Sequence, residues 1–279
     1  MECERLGVPE LPEVEIERRN LEKWLRDRQV VAAEAEKTRI FRGANRKQFG
    51  EIRGQLLGTR RRGKYLLLRF EKNRGFLAHL GMTGKFVHRP RGQNEPYSRA
   101  RLLLDDGQVI HFRDPRMFGR IEPAKADRLD GLQVIQDLGR DPLADGLTGP
   151  QLKDAIGSSK QAIKVALMDQ HRVAGLGNIH AAEALFRARI HPARKPSSLQ
   201  PAEWSRLAKS IHEAIEFALD REDGDEIEYV EEPGSENPFY VYGRGGEPCP
   251  RCGTPIESFV LGGRTTYFCP RDQPRRRPR

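Results

Sequence analysis

From Tyr65 to Phe112 the chain reads as a series of short strands, whereas from Gln151 to Leu219 its apolar residues recur at helical spacing. That segregation constrains the fold most, because a period of two and a period of 3.6 cannot bury the same face. The strand runs are Tyr65–Phe70, Phe76–Leu80, Lys85–His88, Arg101–Leu104 and Gln108–Phe112, the last two joined by Asp105-Asp106-Gly107. A glycine at that junction supplies the positive φ of a tight hairpin. Upstream, Val14, Leu21, Trp24 and Leu25 lie at helical spacing, so a helix should start near Pro12 with Glu10 and Glu13 at its N-terminus. The helical half comprises Gln151–Ile156, Ala162–Asp169, Ile179–Ala188 and Glu203–Leu219, the last with Trp204, Leu207, Ile211 and Ile215 on one face. The fold class expected is α+β, with the change of character after Pro123. Domains are expected at 9–125 (β), 126–222 (helical), 223–242 (an acidic loop read as mobile from Glu222 to Pro238), 243–273 (a cysteine module) and 274–279 (a disordered basic tail).

The partner follows from charge. Of 279 residues 32% are charged, and the net charge of +9 attracts polyanions, nucleic acid first. No run of about 18 apolar residues and no apolar leader segment is present, so a membrane is not an expected partner and the chain should be soluble and intracellular, in the cytoplasm. Cys3 stands alone, whereas Cys249, Cys252 and Cys269 cluster, which reads as a metal site plus one stray thiol.

Cys249-Pro-Arg-Cys252, sixteen residues, then Cys269-Pro-Arg-Asp272, with Gly262-Gly263 amid strand-like sequence, is the layout of a zinc ribbon. One structural zinc is expected, with Asp272 as an irregular fourth ligand. A metal-free hairpin held by packing is the alternative. In either case the hairpin would hold Arg264, at its turn, toward DNA. Gly175-Leu-Gly177-Asn178 leads into a helix, so backbone N–H groups and the Asn178 amide could form a phosphate corner, with Lys160 nearby; most such turns are only turns. Arg61-Arg62-Gly63-Lys64 places a cation at a strand end, where a solvated basic terminus is the plain alternative. Met82, Arg116 and Phe118 lie on glycine-flanked loops and suit insertion into a base stack, with core packing as the competing reading for each.

Taken in order, PELPEVE, RRGKYLLL, HLGMTGK, DPRMFGR, LMDQHRVAGLGNIHAAEALFRARIHP and VYGRGGEPCPRCGTPI with GRTTYFC resemble the formamidopyrimidine-DNA glycosylase family, which also contains endonuclease VIII. The resemblance spans Pro9 to Gln273. It implies a β-sandwich, a helix-two-turn-helix domain and a zinc finger around a DNA cleft, in a monomer with glycosylase and AP lyase activity on oxidised purines in duplex DNA. By matching position, Pro9 is implied as the nucleophile and Glu10 as the carboxylate that protonates the opening deoxyribose. Lys64, Asn178 and Arg264 are implied as phosphate-binding residues, and Met82, Arg116 and Phe118 as the trio that fills the gap, which favours the purine branch. The stretch between Arg221 and Tyr240 does not resemble the lesion-capping loop of an 8-oxoguanine enzyme.

This chemistry requires a terminal proline, since an α-amine titrates near 8, far below lysine, whereas an internal proline nitrogen is an amide. Eight residues precede Pro9. Three readings are open: Val8 is the true initiator and is trimmed, the leader is removed by proteolysis, or the chain is a non-catalytic DNA-binding protein or one that recruits Lys64 or another amine. The first is preferred, because the surrounding site reads as intact.

Overall fold

A computed structural model describes residues 9–41, 45–221, 224, 226, 227, 229, 230 and 234–275. The leader with Cys3, and residues 276–279 of the basic tail, lie outside the described residues. Contacts divide the chain into two units, Met1–Asp137 with Glu222–Tyr229, and Leu138–Arg221 with Val230–Arg279.

The first unit runs α1 (Leu11–Leu25), β1 (Gln29–Ala35), α2 (Asn45–Phe49), β2 (Gly54–Arg62), β3 (Tyr65–Phe70), β4 (Arg74–His79), β5 (Lys85–Pro90), β6 (Ser98–Leu104), β7 (Gln108–Arg113), β8 (Arg120–Lys125), a 3-10 turn Ala126–Gly131 and α3 (Gln133–Gln136). Helix α1 starts where proline and carboxylates favour it: Pro12 needs no donor in the first turn, and the Glu10 N–H donates to Glu13 Oε2 at 2.8 Å. Its apolar stripe is buried at Val14, Leu21, Trp24 and Leu25.

The strands form an antiparallel sheet in the order β5-β7-β6-β1-β2-β3-β4-β8. Strands β1 and β2 share only the pairs Gln29↔Gln55 and Val30↔Gly54, so the sheet narrows there and splits into the two four-stranded halves of the sandwich. The Asp105-Asp106-Gly107 hairpin forms as read, with Gly107 at φ +82 and the Gln108 N–H donating to Asp106 Oδ1 at 3.0 Å.

Strands β1, β2 and β8 were not foreseen. Pro123, which marks the change of character in the sequence, pairs opposite Phe76 inside β8. It is tolerated because β8 is an edge strand. The unit then continues to Asp137: Leu129 is fully buried, and Asp130 accepts from Arg60 at 2.6 Å and from Arg69 at 2.5 Å.

The second unit holds α4 (Gly149–Ile156), α5 (Ile163–Leu167), α6 (Asn178–Arg187), α7 (Pro201–Arg221) and the hairpin β9 (Glu257–Leu261) and β10 (Arg264–Phe268). Helix α7 buries Trp204, Leu207, Ile211 and Ile215 and packs on α4 and α6. The hairpin module has almost no core of its own. Val241, Cys249, Ile256 and Cys269 cluster with Ala182 and Phe186 of α6.

Candidate active site and nucleic-acid interface

In the first unit, Glu10 is the N-cap of α1 and only 1% exposed, and Pro9 is the residue before it. The Glu10–Glu13 bond fixes the backbone of this pair. Other helix carboxylates are committed to structure: Glu15 binds Arg18, Arg19 and Arg61, and Glu17 accepts the Phe86 N–H.

The two loops carrying Met82 and Arg116-Met-Phe118 are joined by a residue that the sequence reading missed. Asp114 is fully buried and accepts from Thr83 Oγ1 (3.0 Å), the Met117 N–H (3.0 Å) and the Gly119 N–H (2.7 Å). A buried carboxylate is tolerable only with such donors. Gly81, at φ +74, lets the loops approach, since a Cβ there would lie 2.4 Å from the Phe118 carbonyl carbon. Met82 is partly exposed, Phe118 is 45% exposed and the Arg116 guanidinium stacks 4.8 Å from the Phe118 ring centre. The exposure of Phe118 removes the core-packing alternative for that residue.

Lys64 sits in the Gly63-Lys64 turn between β2 and β3. Desolvation, then the charges of Lys64 and Arg120, lower the His79 pKa to about 4. Neutral His79 accepts the Gly81 N–H on Nδ1 at 3.0 Å, which steadies the Met82 loop. In the acidic segment, described residues pack on the sheet: Ile227 is fully buried, Lys85 Nζ donates to the Ile227 carbonyl (3.1 Å), and the Tyr229 hydroxyl donates to the Gly84 carbonyl (2.7 Å). Apolar residues between the glutamates give it a face to bury.

In the second unit, Gln170 builds the glycine turn, accepting the Gly175 N–H at 2.8 Å and donating to the Leu176 carbonyl at 2.7 Å. Asn178 opens α6, where the helix end attracts anions. Its Oδ1 accepts from buried Lys164 and its Nδ2 donates to the Thr265 carbonyl at 3.2 Å, which fixes which edge of the amide donates. Lys164 also donates to Thr266 Oγ1 at 2.8 Å, tying α5 to β10. Arg264 is exposed just after Gly262-Gly263, both with positive φ, and Lys160 is exposed between α4 and α5. Another missed residue is Glu183, buried on α6, which accepts the N–H groups of Tyr240, Val241 and Tyr242 at 3.1, 2.9 and 3.0 Å. Asp114, Gln170 and Glu183 lie inside the DPRMFGR and LMDQHRVAGLGNIHAAEALFRARIHP stretches without a role assigned to them there, and Lys164 lies just before the second stretch. Only their charge or amide in otherwise apolar or turn surroundings could have flagged them.

Cys249, Cys252, Cys269 and Asp272 bring one ligand atom each within 4.8 Å of one another. Cys252 Sγ lies 3.5 Å from Cys269 Sγ, and Cys249 Sγ lies 3.9 Å from Asp272 Oδ2. A zinc tetrahedron with bonds of about 2.0–2.3 Å has edges of about 3.5–3.8 Å, so the set fits. Burial pushes the Cys269 thiol up to about 12, while hydrogen bonding to Thr254 lowers Cys252 to about 7, so a cation is needed to hold the set as thiolates. When bound, zinc supplies structural cross-linking, with the Asp272 N–H directed at Cys269 Sγ at 3.3 Å.

Three family matches cover the chain in order: "Formamidopyrimidine-DNA glycosylase N-terminal domain" over residues 8–121, "Formamidopyrimidine-DNA glycosylase H2TH domain" over 138–228, and "Zinc finger found in FPG and IleRS" over 246–275. A formamidopyrimidine-DNA glycosylase of Pelotomaculum thermopropionicum is 37% identical over 271 residues, 94% of this chain and 98% of the relative. The crystal structure of the MutM (FPG) protein of Thermus thermophilus superposes with a TM-score of 0.80 at 35% identity, covering 95% of this chain and 98% of that one. A Lactococcus lactis FPG variant in complex with Fapy-dG-containing DNA gives a TM-score of 0.85 at 31% identity, covering 96% and 100%. With N-terminal, helical and zinc-finger segments all matched in order, the chain belongs to the formamidopyrimidine-DNA glycosylase family.

Proposed function

We propose that this family member excises oxidised purines, formamidopyrimidines among them, from damaged duplex DNA and then cleaves the abasic site, working as a cytoplasmic monomer. The observation that carries the reading is the Pro9–Glu10 pair, held at the start of α1 with Glu10 almost fully buried. Among the described residues no helix is long and apolar enough to cross a membrane.

In the reaction, the Pro9 amine attacks C1′ of the extruded nucleotide and the base leaves with the C1′–N bond electrons and a proton. Glu10 protonates the ring oxygen as the deoxyribose opens to an iminium. That iminium draws electrons from the C2′–H bond, so the 3′ phosphate leaves by β-elimination and the 5′ phosphate by δ-elimination. Met82, Arg116 and Phe118 fill the gap left by the extruded base. Lys64, Lys160, Asn178 and Arg264 bind phosphates.

The chemistry needs a free amine on Pro9, and the N-terminal family match begins at residue 8, one position before it. The proposed reaction predicts working protein that starts at Pro9, which an intact mass from the native gene measures. Borohydride should trap the Pro9-started chain covalently on abasic DNA, and Glu10→Gln should cut base excision by at least a hundredfold. Tight binding of abasic DNA without a trapped adduct would instead establish the non-catalytic DNA-binding reading.

A further inference from the structure

The Phe118 wedge is exposed, and Asp114 holds only the N–H side of its loop. The carbonyl side is held from elsewhere in the chain. Arg39 donates from Nε to the Met117 carbonyl at 2.8 Å and from Nη2 to the Arg116 carbonyl at 2.6 Å. Its guanidinium carbon also lies 5.2 Å from the Phe118 ring centre. Since the Arg116 guanidinium lies 4.8 Å from the same ring, two cations share one exposed aromatic side chain.

Arg39 can exert this hold because its own backbone is anchored. Ile40 and Phe41 are buried, the Ile121 N–H donates to the Ile40 carbonyl at 3.0 Å, and Phe41 bridges Ile121. Ile121 belongs to β8, which begins two residues after Phe118. The arginine, its anchor and the wedge therefore form a closed loop of contacts. Met117, at φ +56, needs such support, because a non-glycine residue rarely stays in the left-handed region unaided.

We infer that Arg39 is a positioning residue for base extrusion: it bridges the Arg116 and Met117 carbonyls and orients the Phe118 ring for insertion into the duplex. It rests on the glycosylase reading proposed above. Arg39 touches no reacting atom, so its loss should slow the step that needs the wedge and leave chemistry at a site without a base largely intact. Two N–H groups in a rigid fork are required to span both carbonyls, and a lysine ammonium does not reproduce that fork.

The experiment compares Pro9-started wild type with Arg39→Ala and Arg39→Lys in single turnover, on duplex containing a formamidopyrimidine and on duplex with a preformed abasic site. A fluorescent base analogue beside the lesion reports insertion of the wedge. Both variants should excise the lesion about tenfold more slowly with a reduced insertion signal, while abasic-site cleavage changes by less than about twofold. Rescue by Arg39→Lys would overturn the inference and mark Arg39 as a simple phosphate contact. An equal loss on both substrates, or no loss on either, would also overturn it. Equal zinc content and melting temperature show that the variants fold. Inactive wild type on both substrates would refute the glycosylase reading itself, a result distinguishable from failure of the positioning role.

Discussion

The wedge loops of the β domain and the Gly262-Gly263 hairpin of the C-terminal module each present a cation on a glycine turn, yet they are stabilised differently. The wedge rests on a sheet with a large apolar core and is fixed by hydrogen bonds converging on Asp114. The hairpin buries few residues of its own, relies on Ala182 and Phe186 of α6 for packing, and gathers three cysteines and Asp272 within zinc-binding distance. A region with its own core can use a buried carboxylate as the organiser. A region too small for a core needs a cross-link from outside the amino-acid repertoire.

Removing the metal should break this comparison most sharply. Chelation is expected to abolish hydrogen-exchange protection over residues 249–273 and to weaken DNA binding, while α1 and the eight-stranded sheet keep theirs. Structural zinc sites are worth about 10 kcal/mol or more in isolated fingers, so the effect should be all-or-none there. Asp272→Cys should slow zinc release, because a fourth thiolate replaces the carboxylate.

Asp114→Ala tests the other side of the comparison. Three donors lose a charged acceptor, two of them backbone N–H groups, and stability should fall by about 3 kcal/mol, measured by denaturant unfolding. Lesion excision should fall at least tenfold, with zinc content unchanged.

The smallest effect expected is a pH dependence of stability, to which the β domain contributes through two histidines. Folded His79 titrates near 4, below the 6.5 of an exposed imidazole, so the unfolded chain takes up the proton first. Stability is full above about pH 6.5 and falls as pH drops toward 4. His111, also lowered to about 4 by burial and then by Arg101 and Arg89, acts in the same direction. His79→Phe should therefore flatten, without abolishing, the difference in melting temperature between pH 7 and pH 5.

Elements with local signals were legible in the sequence. The Asp105-Asp106-Gly107 hairpin follows from turn chemistry, and α7 from a strong 3.6-residue period. Strand β2 was not, because its register shifts between Leu56 and Gly58 and leaves Leu57 65% exposed, which breaks the alternation. Strand β8 was masked by Pro123, acceptable only because tertiary structure puts β8 at the edge.

The same division holds at the site. Composition and motif order by themselves determined a basic α+β chain and the family it resembles, and singled out Pro9, Glu10, Met82, Arg116, Phe118, Asn178, Arg264 and the metal cluster as candidates. Only the tertiary structure decided what holds them: Asp114 beneath the wedge, Arg39 across its carbonyls, and Lys164 between Asn178 and Thr266. Asp114 reaches back 31 residues to Thr83, Arg39 forward 78 to Met117, and Lys164 forward 102 to Thr266. A motif records residues whose neighbours in the chain are also neighbours in space. A buried charge is explained by partners that only folding brings within hydrogen-bond distance.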